Sequence, residues 1–210
     1  MTEPGRVATE IQRIAPRVWL WHVWDDRIDF ESDAHAVGGR RGVVLIDPLP
    51  LRPDTLEALG PVEAICLTAG CHQRSAWRYR AELGAPVHAP EGAEGLDEEP
   101  DFRYRDGDVL PGRMTAIHTP GPEPDHYAFR RPGPPAVMFC PNLLVREEDG
   151  TTEFLPPDFH DDPEATRRSV RRLLDFPFSI LCFDHGRPLR GRPQWTLRRL
   201  LRQMGGGAEA

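Results

Sequence analysis

Three short apolar runs with helical segments between them, all inside fifty residues, constrain this chain more than any other feature. "GVVLIDPLP" (42–50) is an apolar run halted by an acid and a proline, "VEAICLT" (62–68) reads as a buried strand, and "APVHAP" (85–90) as another short one. Between the first two lies "RPDTLEALG", with Asp54 near its start and Gly60 just past its end; between the second and third lies "RSAWRYRAELG" (74–84), which stops at glycine. A β-α-β-loop-α-β rhythm of this kind belongs to an α/β architecture.

The rest of the chain is richer in strands. "RVWLWHVWD" (17–25) has the aromatic and β-branched content of a strand, with Trp19 and Trp21 on one face by period-2 alternation. Trp19, Trp21 and Trp24 are therefore candidate partner anchors, although aromatic residues on a strand more commonly fill a core. "FRYRDGDVLPGRMTAIHTPG" reads as a hairpin turning at "DGD", and "HYAFRRPGPPAVMFCPNLLV" as a second turning at "RPGPP". "DPEATRRSVRRLLDF" (162–176) carries Val170, Leu173 and Leu174 at helical spacing behind an Asp162 cap; "SILCFDHG" is a last strand and "RPQWTLRRLLRQM" a last helix before a "GGGAEA" tail at 205–210, expected to be disordered. No linker divides the sequence, so residues 1–210 are read as one domain.

Composition excludes several classes of function. A net charge of −7 argues against a nucleic-acid partner, since phosphate binding needs clustered positive charge; all 26 basic residues are arginines, and the locally basic runs "RRSVRRLLDF" and "LRRLLRQM" read as exposed faces of amphipathic helices. No apolar run approaches the roughly 18 residues of a membrane span, and the first residues show no basic-then-apolar secretory pattern. The expectation is a cytoplasmic protein without a membrane partner, whose oligomeric state the sequence does not set. Four cysteines (Cys66, Cys71, Cys140, Cys182) are too sparse for a disulfide framework and are read as free thiols.

One stretch concentrates chemistry: "LTAGCHQRSA" (67–76) places Cys71, His72 and Arg74 within four residues, just ahead of a helix. Taken with "AIHTPGPEPDHYAF", "VMFCPNLLV" and "LCFDHGRP", it resembles in order and spacing the motifs of the metallo-β-lactamase superfamily over about 18–188. The resemblance implies a four-layer αββα sandwich, in which two mixed β-sheets pack face to face and helices cover the outside. It also implies a dinuclear zinc hydrolase site whose bound hydroxide attacks the substrate. Carried over residue by residue, the first motif's ligands fall on Ala69, Cys71, Gln73 and Arg74, the second's on Pro122, the bridging aspartate on Asn142, and the closing histidine on His185. Only His185 keeps the family residue. Ala69 and Pro122 have no donor, Gln73 and Asn142 are neutral amides, and Arg74 brings a fixed positive charge.

Three readings follow. In the first, the zinc site has degenerated, no cofactor is bound, and the pocket lined by Ala69, Cys71, His72, Gln73, Arg74, Pro122, Asn142 and His185 takes a small anionic molecule, suited by the guanidinium and amide. In the second, a hydrolase holds one zinc or other divalent metal through an atypical set drawn from Cys71, His72, His126, Cys140 and His185, with Cys71 and His185 as the principal ligands. In the third, Cys71 is a nucleophile favoured by the following helix and Arg74, with His72 or His185 as base. His118, just ahead of a family ligand position, is read as packing or hydrogen-bonding beneath its loop.

Overall fold

The computed structural model describes residues 3–205. A seven-stranded sheet holds β1 (Gln12–Ala15), β2 (Val18–Asp25), β3 (Phe30–Gly38), β4 (Val43–Ile46), β5 (Val62–Cys66), β6 (Val87–Pro90) and β7 (Phe102–Tyr104) in sequence order. Pairing is antiparallel from β1 to β4 and parallel from β4 to β7. The parallel half is the α/β rhythm, with helix α1 (Pro53–Glu57) crossing from β4 to β5 and α2 (Ala76–Leu83) from β5 to β6. Gly84, at φ +67°, ends α2 in the left-handed conformation that glycine adopts without strain.

A six-stranded sheet takes the second half, in the order β15-β14-β11-β10-β9-β8, from β8 (Val109–Leu110), β9 (Met114–His118), β10 (Tyr127–Arg131), β11 (Val137–Phe139), β14 (Ile180–Cys182) and β15 (Leu189–Arg190). Its one parallel pair, β11 with β14, brackets a small hairpin of β12 (Leu144–Arg146) and β13 (Thr152–Phe154) and helix α3 (Pro163–Leu173). Asp162 caps α3 by accepting the Ala165 N–H at 2.9 Å. Helix α4 (Pro193–Gly205) ends the described chain. Of the tail expected over 205–210, Gly205 closes this helix and 206–210 lie outside the described residues.

Three apolar layers bind four layers of structure. Between the sheets, Leu20, Val37, Val44 and Ile46 of the first meet Met114, Phe129, Val137 and Phe139 of the second. Outside the first sheet, Trp21, Leu45 and Ile65 pack on Leu56, Trp77 and Tyr79; outside the second, Met138 and Leu181 pack on Val170, Leu173 and Leu197. The αββα sandwich of two mixed sheets is thus present.

One expected hairpin is corrected. The "DGD" turn does not join two paired strands: β7 before it belongs to the first sheet, beside β6, whereas β8 after it pairs with β9 in the second. The turn is the crossing between sheets. The hairpin at "RPGPP" forms as expected, with Phe129 opposite Phe139. Trp21 is buried and donates from Nε1 to the Leu49 carbonyl at 3.1 Å; Trp24 is exposed.

Candidate functional site

Chain segments flanking five strands meet at one end of the sandwich, where a rigid scaffold can hold irregular backbone. Asp47 follows β4, Thr68 to Arg74 follow β5, His126 precedes β10, Asn142 follows β11, and Asp184 and His185 follow β14. Asp47 (φ 45°), Arg74 (φ 35°) and Asn142 (φ 51°) all adopt left-handed backbone. Such positions are uncommon outside glycine and gather where surrounding structure enforces them.

Arg74 is the centre of this end. The residue is 6% exposed, and its guanidinium donates from Nη2 to both Asp184 oxygens at 2.9 and 2.7 Å, and from Nη1 to the Asp33 and Asp47 carbonyls at 3.1 and 3.3 Å. Burial alone would raise the Asp184 pKa, but Arg74, followed by His72 and His185, draws it far below the usual carboxylate range. A buried cation and a buried anion therefore satisfy each other without any ligand from outside.

The proton on His72 follows from its partners. Thr68 Oγ1 gives its single hydrogen to Asp47 Oδ2 at 2.5 Å, so toward His72 Nδ1, 2.8 Å away, it can only accept; Nδ1 carries a proton. Burial favours the neutral ring, but the negative potential from Cys71, Asp184 and Asp47 outweighs it and holds His72 protonated well above the ordinary histidine range. The Asn142 amide lies 2.8 Å from Nε2 and, facing a charged ring, turns its oxygen toward it. Asp184 Oδ2 is 3.6 Å from Nε2.

Two further histidines border this cluster in the neutral state. His126 is fully buried, with Nδ1 3.0 Å from both Thr119 oxygens, while His35 lies edge-on to Phe139 at 5.1 Å. Burial pushes the first down to about 3 and the second to about 4. His118 bonds the Pro124 carbonyl through Nε2 at 2.7 Å, beneath its loop as expected.

Above the cluster opens a cavity of about 400 Å³. Ile28, Phe30, Val145, Leu155, Pro156 and Phe159 give it apolar walls; Cys71, His72, Arg74, Asn142, Asp184 and His185 give it a polar side, joined by Asp25, Arg27 and Glu147. Five of the eight residues expected to line a pocket do so. Ala69 and Pro122 are buried in the fold, and Gln73 is spent elsewhere: its Oε1 accepts from Trp77 Nε1 at 2.6 Å and Asp97 N–H at 2.7 Å, and its Nε2 donates to the Gly95 carbonyl at 3.1 Å. A larger depression of about 570 Å³ between β13 and α4 holds none of the motif residues.

The candidate ligand set does not converge. Among the described residues, the one group of three or more His, Cys, Asp or Glu ligand atoms all within 4.8 Å of one another is His22, Glu31 and Asp33, which excludes Cys71, His72, His126, Cys140 and His185. Cys140 is fully buried in the outer core of the second sheet, and His185 is fixed by Nδ1 on the Glu31 carbonyl at 2.8 Å. Cys71 is exposed, and its sulfur lies 3.9 Å from the Asn142 amide. Sequence reasoning missed Asp33, His35, Asp47, Thr68 and Asp184 as site residues. Asp184 left a signal, since it stands where the family's closing G-H-G-x-P begins with glycine.

The layered sheets, outer helices and shared loop end define the metallo-β-lactamase fold. The chain is similar to an archaeal metallo-β-lactamase superfamily protein, ST1585 from Sulfolobus tokodaii, with TM-score 0.68 and 16% identity over 91% of this chain and 88% of that one. It is also similar to the DIM-1 metallo-β-lactamase (TM-score 0.73, 14% identity, 95% and 99%). With TTHA1623, solved in a di-iron-bound form, identity is 29% and TM-score 0.58 over 77% of this chain and 90% of that one. No family model and no curated protein matches the sequence. A dinuclear metal centre does not fit the residues present: Ala69 and Pro122 have no donor atom, Gln73 is engaged away from the cavity, and a guanidinium already neutralises Asp184. No helix among the described residues is long and apolar enough to cross a membrane.

Proposed function

We propose that this protein has exchanged the dinuclear centre of its fold for a charge cluster of its own and works as a binding protein for a small molecule, with no metal at the family's positions. The buried Arg74–Asp184 ion pair carries the reading. A dication brought within a few ångströms of the guanidinium would meet repulsion of roughly 2–8 kcal/mol at effective dielectrics of 20–80, before missing ligands are counted. The apolar walls suit a ligand with an apolar body, and Asn142 and His185 suit a single anionic head, beside an Arg27 whose Nε and Nη2 are already paired with Asp25. Arg74, whose bonds run to Asp184 and two carbonyls, acts from behind by fixing the polar side.

Metal analysis after exposure to zinc, iron and manganese salts tests the loss of the family centre. Cys71→Ala and His185→Ala are expected to leave bound metal unchanged, and a fall in either variant overturns the reading. Thermal shift with aliphatic and aromatic carboxylates tests the ligand: stabilisation in the native chain, reduced by Phe159→Ala, is expected, and no shift with any of them counts against a pocket for small anions.

The exposure of Cys71 supports a second reading, a thiol-dependent reaction in the same cavity. Its neighbour His72 holds a proton that an attacked substrate could receive, and Cys66, Cys140 and Cys182 are all buried with pKa values pushed up by burial. Iodoacetamide is expected to label one thiol per folded chain, lost in Cys71→Ala, and four in denaturant. Labelling of more than one thiol in the folded chain would show that the exposure of Cys71 is not distinctive.

A further inference from the structure

We infer that His22, Glu31 and Asp33 bind one zinc-class divalent cation beside the cavity, at a site that uses none of the positions of the family's metal motifs. The antiparallel register of β2 and β3 sets Val18 against Val37, Leu20 against His35, His22 against Asp33 and Trp24 against Glu31. Opposed residues share a face, and alternate residues of one strand share it too. The inner face of the first sheet therefore runs from core at Val18 and Val37 to polar at His22, Glu31 and Asp33 as the strand pair extends toward the loop end.

Three potential ligand atoms, one imidazole nitrogen and two carboxylate oxygens, come within 4.8 Å of one another there, with His22 Nε2 4.0 Å from Glu31 Oε2. Zinc bonds of about 2.0–2.2 Å in a tetrahedron set ligand atoms about 3.3–3.6 Å apart. The remaining closure falls to His22 and Glu31, whose side chains are exposed and free to turn.

The second, independent observation is Asp33. This residue is 4% exposed, and its Oδ2 is buried without any hydrogen-bond partner. The carboxylates of Asp184 and Glu31 stand near it, so a buried anion here sits in the company of others. Arg74 and the Gly186 N–H also act on this carboxylate, and Oδ2 is still left without a hydrogen-bond partner. A cation held by His22 and Glu31 would supply what the Asp33 carboxylate lacks.

The donor set selects the ion. One imidazole with two carboxylates suits zinc and its first-row neighbours, whereas magnesium and calcium prefer oxygen alone. The site also touches the cavity's frame. The Asp33 N–H donates to the Asp184 carbonyl at 2.7 Å, and the Glu31 carbonyl holds the His185 ring, so a cation here would stiffen the start of β3 and the loop that carries Asp184 and His185.

Zinc chloride titrated into tag-free, chelator-treated protein, followed by calorimetry and metal analysis, tests the inference. One zinc per chain is expected, with affinity reduced at least tenfold by His22→Ala and by Glu31→Gln, and unchanged by Cys71→Ala and His185→Ala. Magnesium chloride is expected to give no heat at the same concentrations. Asp33→Asn, which removes the uncompensated acid, is expected to fold and to lose the zinc-dependent rise in Tm. Absence of zinc binding, or binding that survives both His22→Ala and Glu31→Gln, overturns the inference. Zinc lost only in Cys71→Ala or His185→Ala would overturn it together with the metal-free reading of the family site.

Discussion

Replacing Arg74 with methionine lowers the free energy of unfolding by about 3–5 kcal/mol at pH 7, the cost of leaving a buried charge without its partner. That is a large share of the roughly 5–15 kcal/mol that holds a typical domain folded. The physical cause is local. Arg74 neutralises Asp184, which is 3% exposed, and donates to the carbonyls of Asp33 and Asp47; without it these acceptors face an apolar side chain. Arg74→Lys keeps the charge but not the planar fork and is expected to recover only part of the loss. Arg74→Met combined with Asp184→Leu removes both charges, and is expected to be more stable than Arg74→Met alone by about 2 kcal/mol or more, because an apolar pair replaces an orphaned anion. Urea unfolding of the parent and the three variants checks these differences. A single Arg74→Met variant within about 1 kcal/mol of the parent would remove the ion pair from its central place.

The same pair shows what the sequence could disclose. The strands of the α/β half and the helices behind Asp54, Arg74 and Asp162 were legible because period, caps and glycine stops agreed with one another. Strand β3 was not: "FESDAHAVG" sets Ser32, Asp33 and His35 on buried positions, so the alternation that marks a strand is absent. Those polar residues are buried because they belong to the site, and the element hardest to read therefore carried Asp33 and His35. Asp184 was hidden differently. Arg74 replaces a motif histidine and Asp184 a motif glycine, two changes 110 residues apart whose charges cancel only when the loops meet. Linear spacing shows each as a loss, whereas the fold shows one compensating the other.

His35 and His126 make the fold sensitive to acid, and together they are expected to remove about 4 kcal/mol of stability between pH 7 and pH 5, at 1.36 kcal/mol for each unit of pKa difference. Their folded values, about 4 and about 3, lie below the ordinary 6.5. As pH falls past 6.5, the unfolded chain takes up protons that the folded chain refuses, so the stabilisation is complete above 6.5 and is lost progressively toward the folded values. His72 titrates in the opposite sense. Its folded value is raised, so its contribution is complete below 6.5 and is lost as pH rises through the folded value; from pH 7 to 5 it offsets part of that loss. Asp33, also raised, offsets in the same direction, while Asp184, held low by Arg74, stays charged throughout this window. The prediction is therefore read as a difference between chains. Urea unfolding at pH 7 and pH 5 should show His35→Leu, which breaks no hydrogen bond described for that ring, losing about 2 kcal/mol less than the parent across the interval, with a similar saving in His126→Leu. The groups whose charges act on these rings, Asp47, Asp184, Arg74 and His72, are common to all three chains and cancel in the comparison. Equal losses in parent and variants would mean that both histidines take up protons in the folded state, which requires water to reach their rings and the charge cluster beside them to be open.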